Sequence, residues 1–372
     1  MLQKVTLFLL FFLFTAHFSP ALAQNRDDNS TTPPSDHYFQ ATVVKINKQG
    51  EKEVAGLKNF YQDLECKITN GKERGKAVRV ENGGVIKISS RQKLSVGDKV
   101  VLIKSVLPDN RQQYSVLDRY RLDSVITIIA AFFFLVLLVA GKKGLGSIVG
   151  LFVSLFVIVE FIVPQILSGR DPMVISIIGS TAIMFVTIYL AHGFSKKTSI
   201  AIVSTALSLA LTGLLALLFV EITRLSGTGS EDSYLLQFGQ SSINLQGLLL
   251  GGIIIGALGV LDDVTTSQAA AIFEISQANP KLSLLEVAKR GYRVGKEHVA
   301  SLVNTLVLAY AGASLSLFII IVLNPANQPY WVILNSEMII EEVVRTLAGS
   351  IGLVMAVPIT TMLASYVAVK KR

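Results

Sequence analysis

Seven apolar stretches, at about 124–141, 145–167, 173–191, 199–221, 245–261, 299–323 and 347–369, fill most of the chain beyond Ser124. Most reach the roughly 20 residues that an α-helix needs to cross about 30 Å of hydrocarbon. Composition points the same way. Of 372 residues, 51% are hydrophobic and only 16% are charged, and mean hydropathy is +0.55. A soluble domain carries about 25% charged residues, so a soluble enzyme is excluded. So is a disordered chain, which would be poor in apolar residues. The expectation is an α-helical polytopic membrane protein with about seven transmembrane helices, embedded in a lipid bilayer.

The net charge of +8 suggests nucleic acid until its placement is examined. Residues 24–118 hold 16 basic and 12 acidic residues, an ordinary solvated balance. Beyond them the basic residues cluster between apolar stretches. Residues 1–23 read as a signal peptide, with Lys4, an apolar run over 5–14 and Ala21-Leu22-Ala23 before Gln24. An uncleaved anchor is the alternative. Export of the next segment makes the first span run inward. Twelve basic residues then fall inside, among them Lys142, Lys143, Lys196, Lys197 and Lys370, against Arg170, Arg224 and Arg345 outside. This is the positive-inside pattern. It places the C-terminus in the cytoplasm and leaves no basic, aromatic-laced face for nucleic acid.

Residues 24–121 are expected to form an extracytoplasmic β domain, and 122–372 the membrane domain. Short runs at 38–46, 64–69, 76–80, 85–89, 99–105 and 114–117 are rich in Val, Ile and Tyr. Asn70-Gly71, Asn82-Gly83-Gly84 and Gly97-Asp98 separate them as turns. Six strands of this length suit a small OB-like or SH3-like barrel. Cys66 is the only cysteine, so no intrachain disulfide forms, and the four histidines are dispersed. Neither a metal site nor a cofactor is expected.

Asp262 and Asp263 close an apolar stretch of 17 residues, too short for a full span, and Thr265 and Thr266 follow at once. Ionisable residues ending a short hydrophobic segment point to a substrate or ion site. The competing reading makes the aspartates the cap of a new helix over 266–278. Asn304 and Thr305 lie about 6–9 Å inside the sixth span, at matching depth. They serve either the same site or an interhelical hydrogen bond. Thr360 and Thr361 follow Pro358, whose missing N–H frees a carbonyl and can open a polar cavity. Glu160, in the second span, is a candidate proton relay or a snorkelling side chain. Gly247, Gly251, Gly252 and Gly256 give two GxxxG spacings, a face for close helix packing or for a second copy of the chain. Ser283 and Glu286 form a capping box opening a basic amphipathic helix.

At 256–265 (GALGVLDDVT), 295–314 (GKEHVASLVNTLVLAYAGAS), 349–361 (GSIGLVMAVPITT) and 193–198 (GFSKKT), the chain resembles the YibE/F family of multi-pass bacterial membrane proteins. The resemblance extends over the whole mature chain. It implies a bacterial plasma-membrane protein with an extracytoplasmic β domain, and no defined activity. Ser316 stands where the family pattern has proline, which removes the reason for a kink there.

Phosphate-loop, HExxH and GxSxG motifs are absent, so no enzyme is expected. The leading expectation is a secondary transporter or permease, proton- or cation-coupled, moving a small solute or ion. Its polar site would include Asp262, Asp263, Thr265, Thr266, Asn304, Thr305, Thr360 and Glu160. The alternative is a membrane scaffold or sensor whose β domain binds a partner.

Overall fold

The fold is that of a computed structural model describing residues 38–54, 57–83, 88, 92–106, 112–239, 243–324 and 326–370. The leader and most of the strand expected at 85–89 fall outside these residues. The chain divides into two units, Met1–Ala130 and Ala131–Arg372.

The first unit contains a closed five-stranded barrel. Its strands are β1 (Tyr38–Val54), β2 (Leu57–Ile68), β3 (Ala77–Gly83), β4 (Lys99–Val106) and β5 (Gln112–Arg119). They close in the order β1-β2-β3-β5-β4, the β3–β5 contact being parallel. Alternation sets the register on β3, where Val78, Val80 and Asn82 point inward while Ala77, Arg79 and Glu81 point out. Val43, Leu64, Cys66, Ile68, Val100 and Leu102 fill the interior. β1 and β2 run further than expected, as one long hairpin with two irregularities in β1. Where they bury a polar side chain it is used. Gln62 accepts from Leu94 N–H at 2.8 Å and donates to the Leu94 carbonyl at 2.9 Å, pinning a strandless segment to the barrel.

One carboxylate ties the turn after β2 to the opposite strands. Glu73 accepts from Lys76 Nζ at 2.8 Å, Lys104 Nζ at 2.6 Å and Tyr114 Oη at 2.5 Å. Two ammonium groups and a phenol favour the anion, and hold the Glu73 carboxyl down at about 2.

The second unit is helical. α1 (Leu122–Phe156) continues through a π-helical segment, Val157–Ile162, into α2 (Val163–Leu167). Gly141, at φ 55° and ψ −130°, breaks α1. The predicted spans 124–141 and 145–167 lie on either side of this break, within a helical run of 46 residues. α3 (Pro172–His192) starts at Asp171, whose carboxylate accepts from Val174 N–H. α4 (Lys196–Thr223) is capped by Ser195, and α5 (Glu231–Gly239) is short.

α6 (Leu245–Ala278) is one unbroken helix of 34 residues. Asp262 and Asp263 sit in its middle, so neither caps a new helix as the competing reading required. Their charge interrupts the apolar run without interrupting the backbone hydrogen bonds. α7 (Leu284–Ala313) opens with the expected capping box. It then turns through 66° into α8 (Leu315–Leu323) at Ser314. The chain bends here although Ser316 replaces the proline, contrary to expectation. α9 (Tyr330–Leu334) leads to α10 (Glu337–Lys370), which contains Pro358. Among the described residues, five helices are long and apolar enough to cross a membrane, or six if the bent α7–α8 pair is one span.

α4, α6 and α10 pack against one another as the centre of this unit, with α3 and α7 flanking. Leu209, Ile254, Leu258, Leu261, Leu353 and Val357 form its main apolar cluster. Close approach depends on missing side chains. A Cβ on Gly352 of α10 would collide with the Thr212 hydroxyl of α4, and one on Gly251 of α6 with Ser176 of α3. Gly247 likewise abuts Pro172 and Asn244. Half of the glycine face expected to receive a second copy is thus occupied within the chain. Gly252, Gly256 and Gly259 remain open, with no atom within 4 Å of where a Cβ would stand.

Two outcomes follow from this packing. Cys66 is fully buried, and burial pushes its thiol up to about 11, so reaction with a dithiopyridine reports opening of the barrel. Glu73 contributes stability above its unfolded value of 4.5 that disappears as pH falls through about 2. Glu73→Gln should lower the midpoint of heat-induced Cys66 labelling at pH 7, and the gap from the unmutated chain should close towards pH 2. In the helical unit, Gly352→Ala should cost about 1–3 kcal/mol by overpacking. Gly256→Ala should lie within about 0.5 kcal/mol of neutral. Thermal unfolding in detergent reads both.

Candidate functional site

The central helices expose apolar side chains and bury polar ones. Ser204, Thr205, Ser208 and Thr212 of α4 are buried, as are Thr265, Gln268 and Ser276 of α6 and Thr360, Thr361 and Ser365 of α10. On α4, Ser204, Ser208 and Thr212 recur every fourth residue, one stripe on a helix of 3.6 residues per turn. That spacing is legible in the sequence, although hydropathy alone marks 199–221 only as a span.

These side chains make specific contacts. The Thr205 and Thr265 hydroxyls hydrogen-bond to each other at 2.6 Å, joining α4 to α6. Gln268 Nε2 donates to Thr361 Oγ1 at 2.8 Å and to the Gly291 carbonyl at 2.9 Å, joining α6 to α10 and α7. A Cβ on Gly295 would strike both Gln268 and Val357. The layer around Thr265 is therefore shared by all four helices.

Asp262 lies at the edge of this layer. Its side chain is half-buried, and its Oδ1 is shielded from solvent without a hydrogen-bond partner. Its main-chain carbonyl is well used, accepting from Thr266 Oγ1 at 2.9 Å and Thr265 Oγ1 at 3.3 Å. Asp263 is exposed on the next flank of α6.

Of the eight expected site residues, Asp262, Thr265 and Thr360 fall into or beside the buried polar layer, and Thr266 joins them through the Asp262 carbonyl. Asp263 adjoins it from the outside. Asn304 and Thr305 do not converge on it. Val299, Leu302 and Leu306 are the α7 residues packed on this core, and both expected polar residues are exposed. Thr305 donates to the Ser301 carbonyl of its own helix at 3.1 Å. Glu160 is exposed on the π-helical segment. Among the described residues, no group of three or more His, Cys, Asp or Glu is placed to hold a metal ion.

A second polar constellation lies at the start of α10. Glu337 Oε1 accepts from Ser226 N–H at 2.7 Å, Gly227 N–H at 3.0 Å and the Ser226 hydroxyl at 2.6 Å. Successive backbone N–H groups form a concavity for the carboxylate. Glu341 is only 4% exposed and accepts from Gly229 N–H at 2.8 Å. A Cβ on Gly229 would come within 2.7 Å of that carboxyl carbon. The two glutamates fasten the loop after α4 to α10.

No curated protein and no solved structure matches the chain. A family profile does match, over the helical run from within α1 to the end of α10; the barrel lies outside the match, which is narrower than a resemblance over the whole mature chain. That profile, described as YibE/F-like protein, covers residues 128–370, and the chain belongs to this family.

Proposed function

We propose that the helical unit spans a bacterial plasma membrane and acts as a secondary transporter or permease for a small solute or ion. Gly141 divides the first helical run into two spans, and the bent α7–α8 pair forms another. In this arrangement the apolar stretches make seven crossings. The barrel is extracytoplasmic, and the C-terminal end of α10 lies in the cytoplasm with the basic loops. Exposed Phe134, Leu214 and Met362, set against buried hydroxyls on α4 and α10, support a bilayer as the solvent of this unit.

The observation that carries the transport reading is Asp262. An ionisable oxygen is shielded from solvent without a partner, midway along an apolar helix and one turn from the Thr205–Thr265 pair. In hydrocarbon such a group is costly, and it is usually retained for moving protons or cations. Asp262 would carry the exchangeable charge, and the hydroxyls of Thr205, Thr265 and Thr360 would replace water around the cargo. Asp263 would set the local charge at the cytoplasmic mouth. Asn304, Thr305 and Glu160 have no part in this site.

One observation favours a scaffold or sensor instead. The barrel has an open depression of about 460 Å³ lined by Tyr38, Leu117, Arg119, Tyr120 and Arg121, which suits a partner. Flux in proteoliposomes separates the readings. Asp262→Asn should reduce coupled uptake or efflux at least tenfold while protein folding is retained, and Asn304→Ala should leave it within twofold. A chain lacking residues 24–118 should still transport. Full flux in the Asp262→Asn protein would remove the site, and loss of cellular function only on deleting the barrel would favour the sensor.

A further inference from the structure

Hydroxyls on buried helix faces commonly satisfy themselves by donating to the carbonyl four residues earlier. Thr187, Thr205 and Thr212 do so, at 2.8, 2.9 and 2.9 Å. Ser204, Ser208 and Thr360 do not. All three are 0% exposed, and their hydroxyl oxygens have no hydrogen-bond partner within the protein. A polar group in that position costs free energy unless something else satisfies it.

The three belong to one interface. α4 and α10 run antiparallel, with Thr212 on Gly352 at one point and Ala201 clustered with Ala364 at another. Counting eight residues back from Thr212 and eight on from Gly352 reaches Ser204 and Thr360, which therefore lie at the same level. Ser208 is one turn away on the same stripe. Thr205, next to Ser204, carries the bond to Thr265, so this level is also that of the polar layer beside Asp262.

The occupant must be small and both accept and donate hydrogen bonds. A neutral occupant needs no counter-charge. Between Lys197 and Glu221 on α4, and between Arg345 and Lys370 on α10, the sequence holds no charged residue. A metal cation would have to draw its counter-charge from Asp262 on α6, outside this interface. Water is small and neutral, and a buried water typically makes two to four hydrogen bonds, accepting as well as donating.

We propose that the α4–α10 interface binds internal water bridging Ser204 and Thr360, with Ser208 as a further partner. This water extends the polar layer of Thr205 and Thr265 across the core and gives it a hydrated path at the depth of Asp262. Use of that path for cargo rests on the transport reading; the water site does not.

Water-edited solid-state NMR of the full chain in liposomes tests the site directly. Magnetisation from water should reach Ser204 and Thr360 several-fold faster than Thr212, which is equally buried but bonded to its own helix. Rates equal to that of Thr212 would overturn the proposal. Thermal unfolding supplies a second measurement. Ser204→Ala and Thr360→Val should each lower the melting midpoint by several degrees, and the double variant should lose less than the sum. Thr360→Ser should retain the midpoint. Single variants that are neutral or stabilising, with additive effects, would mean dry hydroxyls and sink the idea. Wet hydroxyls in a chain that moves no solute would retire the transport reading and leave the water site standing.

Discussion

Packing α4, α6 and α10 together brings three helical faces into contact through polar atoms as well as methyl groups. Where the apolar cluster of Leu209, Leu261 and Val357 gives way to Thr205, Thr265, Gln268 and Thr361, direct hydrogen bonds set the azimuth of each helix. Missing side chains at Gly251, Gly295 and Gly352 let the backbones approach near enough for those bonds to form. α3, α7 and the loop after α4 are arranged on this trio. α3 leans on the glycine side of α6, α7 is pinned by Gln268, and the loop after α4 is fastened by Glu337 and Glu341. Since the exterior is apolar, specificity within the unit has to come from polar contacts and shape rather than from hydrophobic contrast.

The barrel is stabilised by the opposite logic. Its interior is mainly apolar, and its charged residues lie outside. Glu73 gathers Lys76, Lys104 and Tyr114 around one carboxylate, so a turn and two strands are held at a single point. Gln62 does comparable work for the segment around Leu94.

Much of this is legible in the sequence, and the parts that are not share a cause. Alternation and turn residues announce the barrel, apolar length announces the helices, and Ser283 with Glu286 announces a helix start. Counting along a helix also gives depth, which is why Asn304 and Asp262 are expected together. Counting cannot give azimuth. Leu302 and Leu306 face the core, so Asn304, midway between them, faces away. The Asp262-Asp263 pair misleads differently, because hydropathy marks where apolar residues stop while backbone hydrogen bonding decides where a helix stops. The Ser204, Ser208 and Thr212 stripe is visible as a four-residue recurrence. Its importance comes only with the neighbours that bury it. The 66° bend at Ser314 has no proline to announce it.

The unbroken course of α6 has a mechanical consequence. Its 34 residues amount to a rod of about 51 Å, longer than a bilayer core is thick. Asp262 lies near its midpoint, and Ser276, whose hydroxyl donates to the Ala368 carbonyl at 3.3 Å, lies near one end. A rod without a hinge transmits a tilt or a translation along its full length. Any displacement that a change of charge produces at Asp262 is therefore felt at the far ends of α6 and α10, beyond the reach of the charge itself.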